Sequence, residues 1–101
     1  MNNWKNIKEM IEYPTSGILS KDILKNKEFD STLFMMAKDA KLSEHTSTRE
    51  GIVHILEGSG LFILEGKEID MIPGIFIHMK KNAIHALKAA KNTTFVLILF
   101  N

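Results

Sequence analysis

The stretch ILEGSGLFILEGKEIDMIPGIFIHMKKNAIHAL, from Ile55 to Leu87, consists of short apolar runs separated by turn residues. The separators EGSG, EGK and KN contain the glycine and asparagine that hairpin connections use. Many short runs at this close spacing are typical of an antiparallel sandwich or barrel and not of a βαβ sheet. The stretch therefore predicts an all-β fold.

The same pattern continues on both sides of this stretch and predicts one barrel over about residues 18–100, in a single domain of residues 1–101. Apolar and acidic residues alternate in EIDMI, as in a strand with one face in water. We predict eight strands, near Ile18–Leu24, Ser31–Ala37, Gly51–Leu56, Leu61–Leu64, Glu68–Ile72, Gly74–Met79, Ala83–Ala89 and Thr94–Phe100.

The first segment has helical periodicity instead. Its apolar residues recur at i, i+3 and i+7, which predicts a short helix over about residues 3–13 with one apolar face, made by Trp4, Ile7 and Ile11. Asn2 or Asn3 would cap this helix, and Pro14 would end it.

Composition excludes several classes of function. The net charge of +1, from 13 basic and 12 acidic residues, gives no basis for a nucleic-acid partner. The absence of cysteine excludes disulfides, thiolate nucleophiles and Cys-ligated metal centres. The longest apolar run, FVLILF, is too short to cross a membrane, and the N-terminus does not have the pattern of a signal peptide. We therefore expect a cytoplasmic protein with no membrane partner.

Three of the predicted strands, LFMMA, IVHIL and FVLILF, are apolar on both faces. One face fills the interior of a small barrel, so the other face needs a cover. A partner subunit would provide it and prevent aggregation, so we predict a homodimer. The alternative is that the N-terminal helix and neighbouring strands provide all of the cover.

The four histidines are the main candidate functional residues, because imidazole is both a common metal ligand and an acid or base near neutral pH. His45 lies in a polar loop, where it is either a ligand or simply solvated. His85 lies in an apolar strand and needs a partner, either a metal or a carbonyl. His54 faces either the cavity or the dimer interface, and we favour a structural role for His78.

Glu50 is the best carboxylate candidate, since it follows His45 closely and begins a strand. Together with His85 these residues supply two imidazoles and one carboxylate. That is the ligand count of non-haem iron sites, and it also serves manganese, nickel or zinc.

The order of these pieces resembles the cupin superfamily and, more narrowly, the small single-domain conserved-barrel cupins. Leu56–Gly58 resembles the end of the family's first motif and Pro73–Gly74 the start of its second, while Asn82–Ala86 resembles the part that carries its last metal-binding histidine. The resemblance covers about residues 29–100. It implies a double-stranded β-helix of six to eight strands, commonly dimeric, with a site inside the barrel.

The first motif departs from the family pattern, which begins with His-x-His and supplies three histidines and a glutamate. Ser43 or Ser47 stands where one of these histidines is expected. Glu50 lies one residue further from Gly58 than the usual glutamate, so it reaches the site only if a bulge re-aims it. The candidate metal ligands are therefore His45, His85, Glu50 and His54, and the candidate ligand-binding residues are Ser43 and Ser47.

Two functions follow from this resemblance. The first is a metal-dependent dioxygenase, isomerase or decarboxylase that uses one iron, manganese, nickel or zinc ion on a small polar molecule. The second is a metal-free sensor or accessory module that binds a small molecule in the barrel, and the broken first motif favours it. A scaffold with no ligand is a third hypothesis, which mutually distant histidines would support.

Overall fold

The computed structural model describes residues 3–101, which fold into two antiparallel sheets and confirm the predicted all-β class. No helix in this range is long and apolar enough to cross a membrane. Besides a 3-10 helix at Ile7–Met10, the described residues form nine strands: β1 Ile18–Lys25, β2 Phe29–Met36, β3 Lys41–His45, β4 Gly51–Glu57, β5 Gly60–Leu64, β6 Lys67–Asp70, β7 Phe76–Met79, β8 His85–Ala89 and β9 Thr93–Phe100.

The two sheets face each other across one core. One sheet has five strands in the order β1-β2-β9-β4-β7, and the other has four in the order β3-β8-β5-β6. From β3 onwards every connection crosses from one sheet to the other except the β5–β6 hairpin, as in the expected double-stranded β-helix. Side chains that point inward from both sheets form the core cluster: Met36, Val53, Ile55, Phe62, Met71, Ile77, Met79, Leu87, Ala89 and Phe95.

The EGSG turn between β4 and β5 requires its glycines. Gly58 has a φ of +105°, which favours glycine, and a Cβ there would collide with Thr93. A Cβ on Gly60 would collide with the carbonyl oxygen of Lys88 on the neighbouring β8. The turn residues therefore set how closely these strands can pack.

Strand β3 was not predicted, because its sequence KLSEH looks like a polar loop. It lies at the edge of the four-stranded sheet and pairs only with β8. Leu42 is its one apolar residue and is half-buried, whereas the other four side chains are exposed. Hydrogen bonds to β8 hold such an edge strand without the alternation that marks a buried strand.

The prediction of a helix over residues 3–13 is wrong in extent. Only four residues, Ile7–Met10, form a 3-10 helix, and Asn6 caps it by accepting a hydrogen bond from the backbone N–H of Lys8. Asn2, one of the two proposed caps, lies outside the described residues. Trp4 is 75% exposed, so the expected apolar face does not pack as a unit. Contacts with the barrel override the local periodicity here.

These contacts tie the N-terminal segment to the outer face of the five-stranded sheet. Lys21 on β1 donates a hydrogen bond to the carbonyl of Met10 and forms a 3.0 Å ion pair with Glu12. The backbone N–H of Glu12 contacts the sulfur of Met35 on β2 at 3.4 Å. The segment therefore covers the part of this face that β1 and β2 form.

Tyr13 is the last anchor of this segment. Its hydroxyl lies 2.6 Å from Oε2 of Glu57 and 2.6 Å from Oγ1 of Thr94. The tyrosine donates to the carboxylate, since an ionised carboxylate only accepts. Burial and then this hydrogen bond raise the pKa of Tyr13 to about 12.

We expect the phenol of Tyr13 to ionise well above its ordinary pH. It is the one tyrosine in the chain, so near-ultraviolet difference absorbance during an alkaline titration reports on it alone. The neutral form is favoured in the folded state, so its contribution to stability is complete below pH 10 and is lost as the pH rises through about 12. If Tyr13 ionised at the same pH in the folded chain as in the urea-unfolded chain, this result would contradict its hydrogen bond to Glu57. Tyr13→Phe is expected to lower the free energy of unfolding by about 1 kcal/mol.

Candidate functional site

A cavity of about 260 Å³ lies between the two sheets. Strand β9 contributes three of its wall residues, because every second side chain of a strand faces the same side. Three polar residues reach the cavity: His45, Ser47 and His85. The remaining wall is apolar and consists of Phe34, Leu42, Val53, Phe62, Met79, Leu87, Phe95, Leu97 and Leu99.

His45 and His85 lie opposite each other on the paired strands β3 and β8. Their ring centroids are 4.0 Å apart, with the ring planes at 60°. The register shifts between Leu42 and His45, so β3 bulges just before this pair. The strand that sequence reasoning missed is therefore the one that places His45 at the cavity.

The backbone determines the tautomer of both rings. Nδ1 of His45 lies 2.7 Å from the carbonyl oxygen of Ser43, and Nδ1 of His85 lies 3.0 Å from that of Ala83. A carbonyl oxygen can only accept, so Nδ1 carries the hydrogen in each ring. In the neutral rings each Nε2 is consequently a hydrogen-bond acceptor.

His85 is the more buried of the two, at 7% exposed. Its ring is parallel to that of Phe62, at a centroid distance of 5.9 Å. Burial lowers the pKa of His85, the carbonyl of Ala83 raises it in part, and the neighbouring charge of His45 lowers it further. The neutral form of His85, with its Nε2 lone pair, is thus the stable one near neutral pH.

The two serines that were candidate ligand-binding residues take different positions. Ser47 lines the cavity, and its hydroxyl accepts a hydrogen bond from the backbone N–H of Arg49 at 3.1 Å. The side chain of Ser43 is exposed and lines a shallow groove on the outer side of the four-stranded sheet. Ser43 serves the site through its carbonyl oxygen, which holds His45.

Glu50 and His54 do not line the cavity. Oε2 of Glu50 lies 2.5 Å from Nε2 of His78, and both side chains are about half exposed. On β4 the side chains of Val53 and Ile55 point inward, so His54 points outward, where its ring lies 6.5 Å from that of Phe76. The structure therefore brings together two of the four predicted metal ligands and separates the other two from them.

The profile of the family described as Cupin domain matches residues 32–101, which is more than half of the chain. The chain belongs to this family. Its resemblance to the cupins, inferred from sequence, is thus confirmed. No protein of curated function matches the cupin in sequence.

Solved structures agree with the fold. The cupin superposes with a TM-score of 0.87 on a conserved protein of unknown function from Streptococcus pyogenes, at 19% identity over 100% of this chain and 89% of that one. For an RmlC-like cupin from Desulfovibrio desulfuricans the TM-score is 0.86, at 16% identity over 99% and 97% of the two chains. A cupin 2 conserved barrel domain protein from Leptotrichia buccalis gives 0.85 at 26% identity, over 96% of this chain and 47% of that one.

The residues at the cavity do not fit a resident divalent metal. Among residues 3–101, no three histidine, aspartate or glutamate side chains come close enough together to hold one ion. Catalytic zinc sites use three protein ligands, and the facial triad of non-haem iron needs a carboxylate beside two histidines. His45 and His85 have the tautomer that a metal requires, but they supply only two ligands.

Sequence reasoning also missed Arg49, which lies two residues after the cavity residue Ser47. Its guanidinium donates hydrogen bonds to the carbonyl oxygens of Leu99 at 2.9 Å and Phe100 at 3.2 Å, and it forms a 3.0 Å ion pair with Asp30. These bonds fix the loop that carries Ser47 to the end of β9. Arg49 is the one arginine in the sequence, and this fact could have identified it as a candidate structural residue.

We expect the stability of the cupin to fall as the pH is lowered from about 8 to about 5, because His85 has a lowered pKa in the folded state. As the pH falls, the unfolded chain therefore binds more protons than the folded chain. The stability that neutral His85 contributes is present above the ordinary histidine pKa and is lost at lower pH. Urea unfolding of the wild type and of His85→Phe measures this difference. The slope of the free energy of unfolding against pH should decrease in His85→Phe and persist in the matched control His54→Phe. Equal slopes in wild type and His85→Phe would contradict the assignment.

Proposed function

We propose that this cupin binds a small, mostly apolar molecule in the cavity between its sheets, without a metal ion. The observation that carries the proposal is the pair of Nε2 acceptors of His45 and His85 at a wall that, apart from Ser47, is otherwise apolar. An apolar cavity with a few convergent polar groups is the usual form of a small-molecule site. The ligand would place a hydroxyl or N–H group on the histidines and an apolar body against β9.

The cavity volume bounds the size of this ligand. An engineered cavity of about 150 Å³ holds benzene, so by proportion about 260 Å³ holds roughly ten non-hydrogen atoms. Contact with Leu97, Phe34 and Phe95 would drive binding, at roughly 25 cal/mol per Å² of apolar surface removed from water. A ligand of this size needs no large opening of the sheets.

The hydrogen-bonding chemistry selects the polar group. Each neutral ring uses its only N–H on a backbone carbonyl, so the ring has no second donor for the ligand. A ligand hydroxyl would donate to Nε2, whereas an apolar ligand of the same shape would leave this acceptor unpaired. The missing bond would cost such a ligand about tenfold in affinity.

The other two hypotheses have less support. A metal-dependent dioxygenase, isomerase or decarboxylase needs further ligands beside His45 and His85, and neither Glu50 nor His54 lines the cavity. A scaffold without a ligand was expected to have distant histidines, but two of them have ring centroids only 4.0 Å apart.

The test compares two probes that differ in one hydroxyl group, para-ethylphenol and ethylbenzene. We expect saturable shifts of the Leu97 methyl resonances with both probes in NMR titrations, and about tenfold tighter binding of the phenol. In His85→Phe, which keeps a ring against Phe62, the two affinities should become similar. His54→Phe changes a histidine on the outer face and should retain the full preference.

Two further measurements test where the probes bind and whether a metal takes part. Ile98→Trp, on the outer face of β9, should bind both probes as the wild type does, whereas Leu97→Trp fills the cavity and should bind neither. Elemental analysis of untagged protein should find no stoichiometric metal. Failure of both probes to bind the wild type would contradict the proposal. A stoichiometric metal that is lost in both His45→Ala and His85→Ala would contradict its metal-free part.

We also propose that the cupin is a homodimer that forms through the outer face of the five-stranded sheet. The N-terminal segment covers this face over β1 and β2, and beyond them Tyr13 reaches only Glu57 at the end of β4 and Thr94 near the start of β9. The face beyond them has neighbouring apolar side chains on β4, β7 and β9, of which Phe76 is 64% exposed, while Ile52 and Ile98 are half-buried. Glu50 brings a carboxylate to this face, and its Oε2 contacts Nε2 of His78 at 2.5 Å, so the carboxylate has a hydrogen-bond partner within its own subunit.

Phe76→Asp should shift the mass measured by light scattering from that of a dimer to that of a monomer, because it places an unpaired charge in the proposed interface. Ile84→Asp is the matched control, since Ile84 is 48% exposed beside the four-stranded sheet and should leave the dimer intact. A wild-type protein that is monomeric at all accessible concentrations would contradict the proposal.

A further inference from the structure

A second concave site lies outside the cavity, between the turn that joins β5 to β6 and the turn that joins β7 to β8. This crevice has a volume of about 400 Å³ and shares no lining residue with the cavity. Four of its seven lining residues are basic: Lys67, His78, Lys80 and Lys81.

The chain offsets the positive charge of the crevice only in part. Within residues 3–101, none of its three lysines has a carboxylate within 4.0 Å. Glu65 is the one acidic lining residue, and its Oε1 already accepts a hydrogen bond from the backbone N–H of Ile84 at 3.0 Å. His78 has its own partner in Glu50. Three like charges that share a concave surface attract anions from solution.

Both turns that carry the lysines are held in place before any ligand arrives. The backbone N–H of Glu65 donates to the carbonyl of Ile84 at 2.8 Å, which joins one turn to the other. The backbone N–H of Asn82 donates to the carbonyl of Ser47 at 2.7 Å. A ligand would therefore order only the lysine side chains, which reduces the entropic cost of binding.

We propose that the crevice binds a small anion in which phosphate carries two or more negative charges. Lysine ammonium groups bind phosphate as point charges and can approach it from several directions, whereas planar recognition of a carboxylate favours the arginine fork. Arg49, the one arginine of the chain, is already occupied by Asp30 and the end of β9. This site goes beyond the proposed function, since it needs neither the cavity nor its histidines.

The test uses inorganic pyrophosphate as the probe on the full chain. In NMR titrations we expect saturable shifts of the amides of Gly66, Lys81 and Asn82 that sodium chloride of the same ionic strength does not produce. The double variant Lys80→Gln/Lys81→Gln should weaken binding by about tenfold. Lys25→Gln/Lys27→Gln removes the same charge beside β1, at the opposite edge of the sheet from β7, and should bind as the wild type does.

Each alternative outcome overturns the proposal. Shifts no larger than those in sodium chloride would exclude a site, and equal weakening in both double variants would reduce the effect to net charge. If the crevice bound citrate as tightly as pyrophosphate, it would have no preference for phosphate over carboxylate. Thermal unfolding without anion should be the same in both variants, so a loss of binding cannot be ascribed to misfolding.

Discussion

The pairing of β9 with both β2 and β4 is the constraint on which the rest of the structure depends. In this register Val96 lies between Leu33 and His54, while Leu97 lies between Thr32 and Val53. Every second residue of β9 therefore faces the cavity, and the others face outward. A slip of one residue would exchange the two faces, which the buried core strongly disfavours. Both the apolar wall of the cavity and the apolar side chains of the outer face follow from this one register.

The chemistry of the cavity has a different origin, in the backbone of the four-stranded sheet. The carbonyl oxygens of Ser43 and Ala83, each two residues before a histidine, set the tautomers of His45 and His85. The same two rings in a solvated loop would exchange tautomers freely. These two local hydrogen bonds remove that freedom, and the pairing of His45 with His85 places the two acceptors side by side. The cupin fold is thus intact here, while only two of the four candidate metal ligands, both of them imidazoles, meet at the cavity.

The strands that are continuous apolar runs bounded by turn or polar residues were predictable from the sequence. Strand β4 and the final run FVLILF were predicted within a residue of their observed ends. Edge strand β3 and the N-terminal segment were not. Strand β3 pairs with one neighbour only, and four of its five side chains are exposed, so no apolar alternation marks it. The N-terminal periodicity is real, but contacts of Met10, Glu12 and Tyr13 with the barrel outweigh the weak preference of so short a helix.

The sequence by itself determined the all-β class, the family and the candidate histidines, since these depend on local turn chemistry, alternation and the order of motifs. Only the tertiary structure decided which candidates meet. His54 and His85 both interrupt apolar runs, yet one points outward beside Phe76 and the other stacks on Phe62 inside the barrel. The direction of a strand side chain depends on which face the partner sheet covers. That is a property of long-range packing, which no stretch of sequence around a histidine contains.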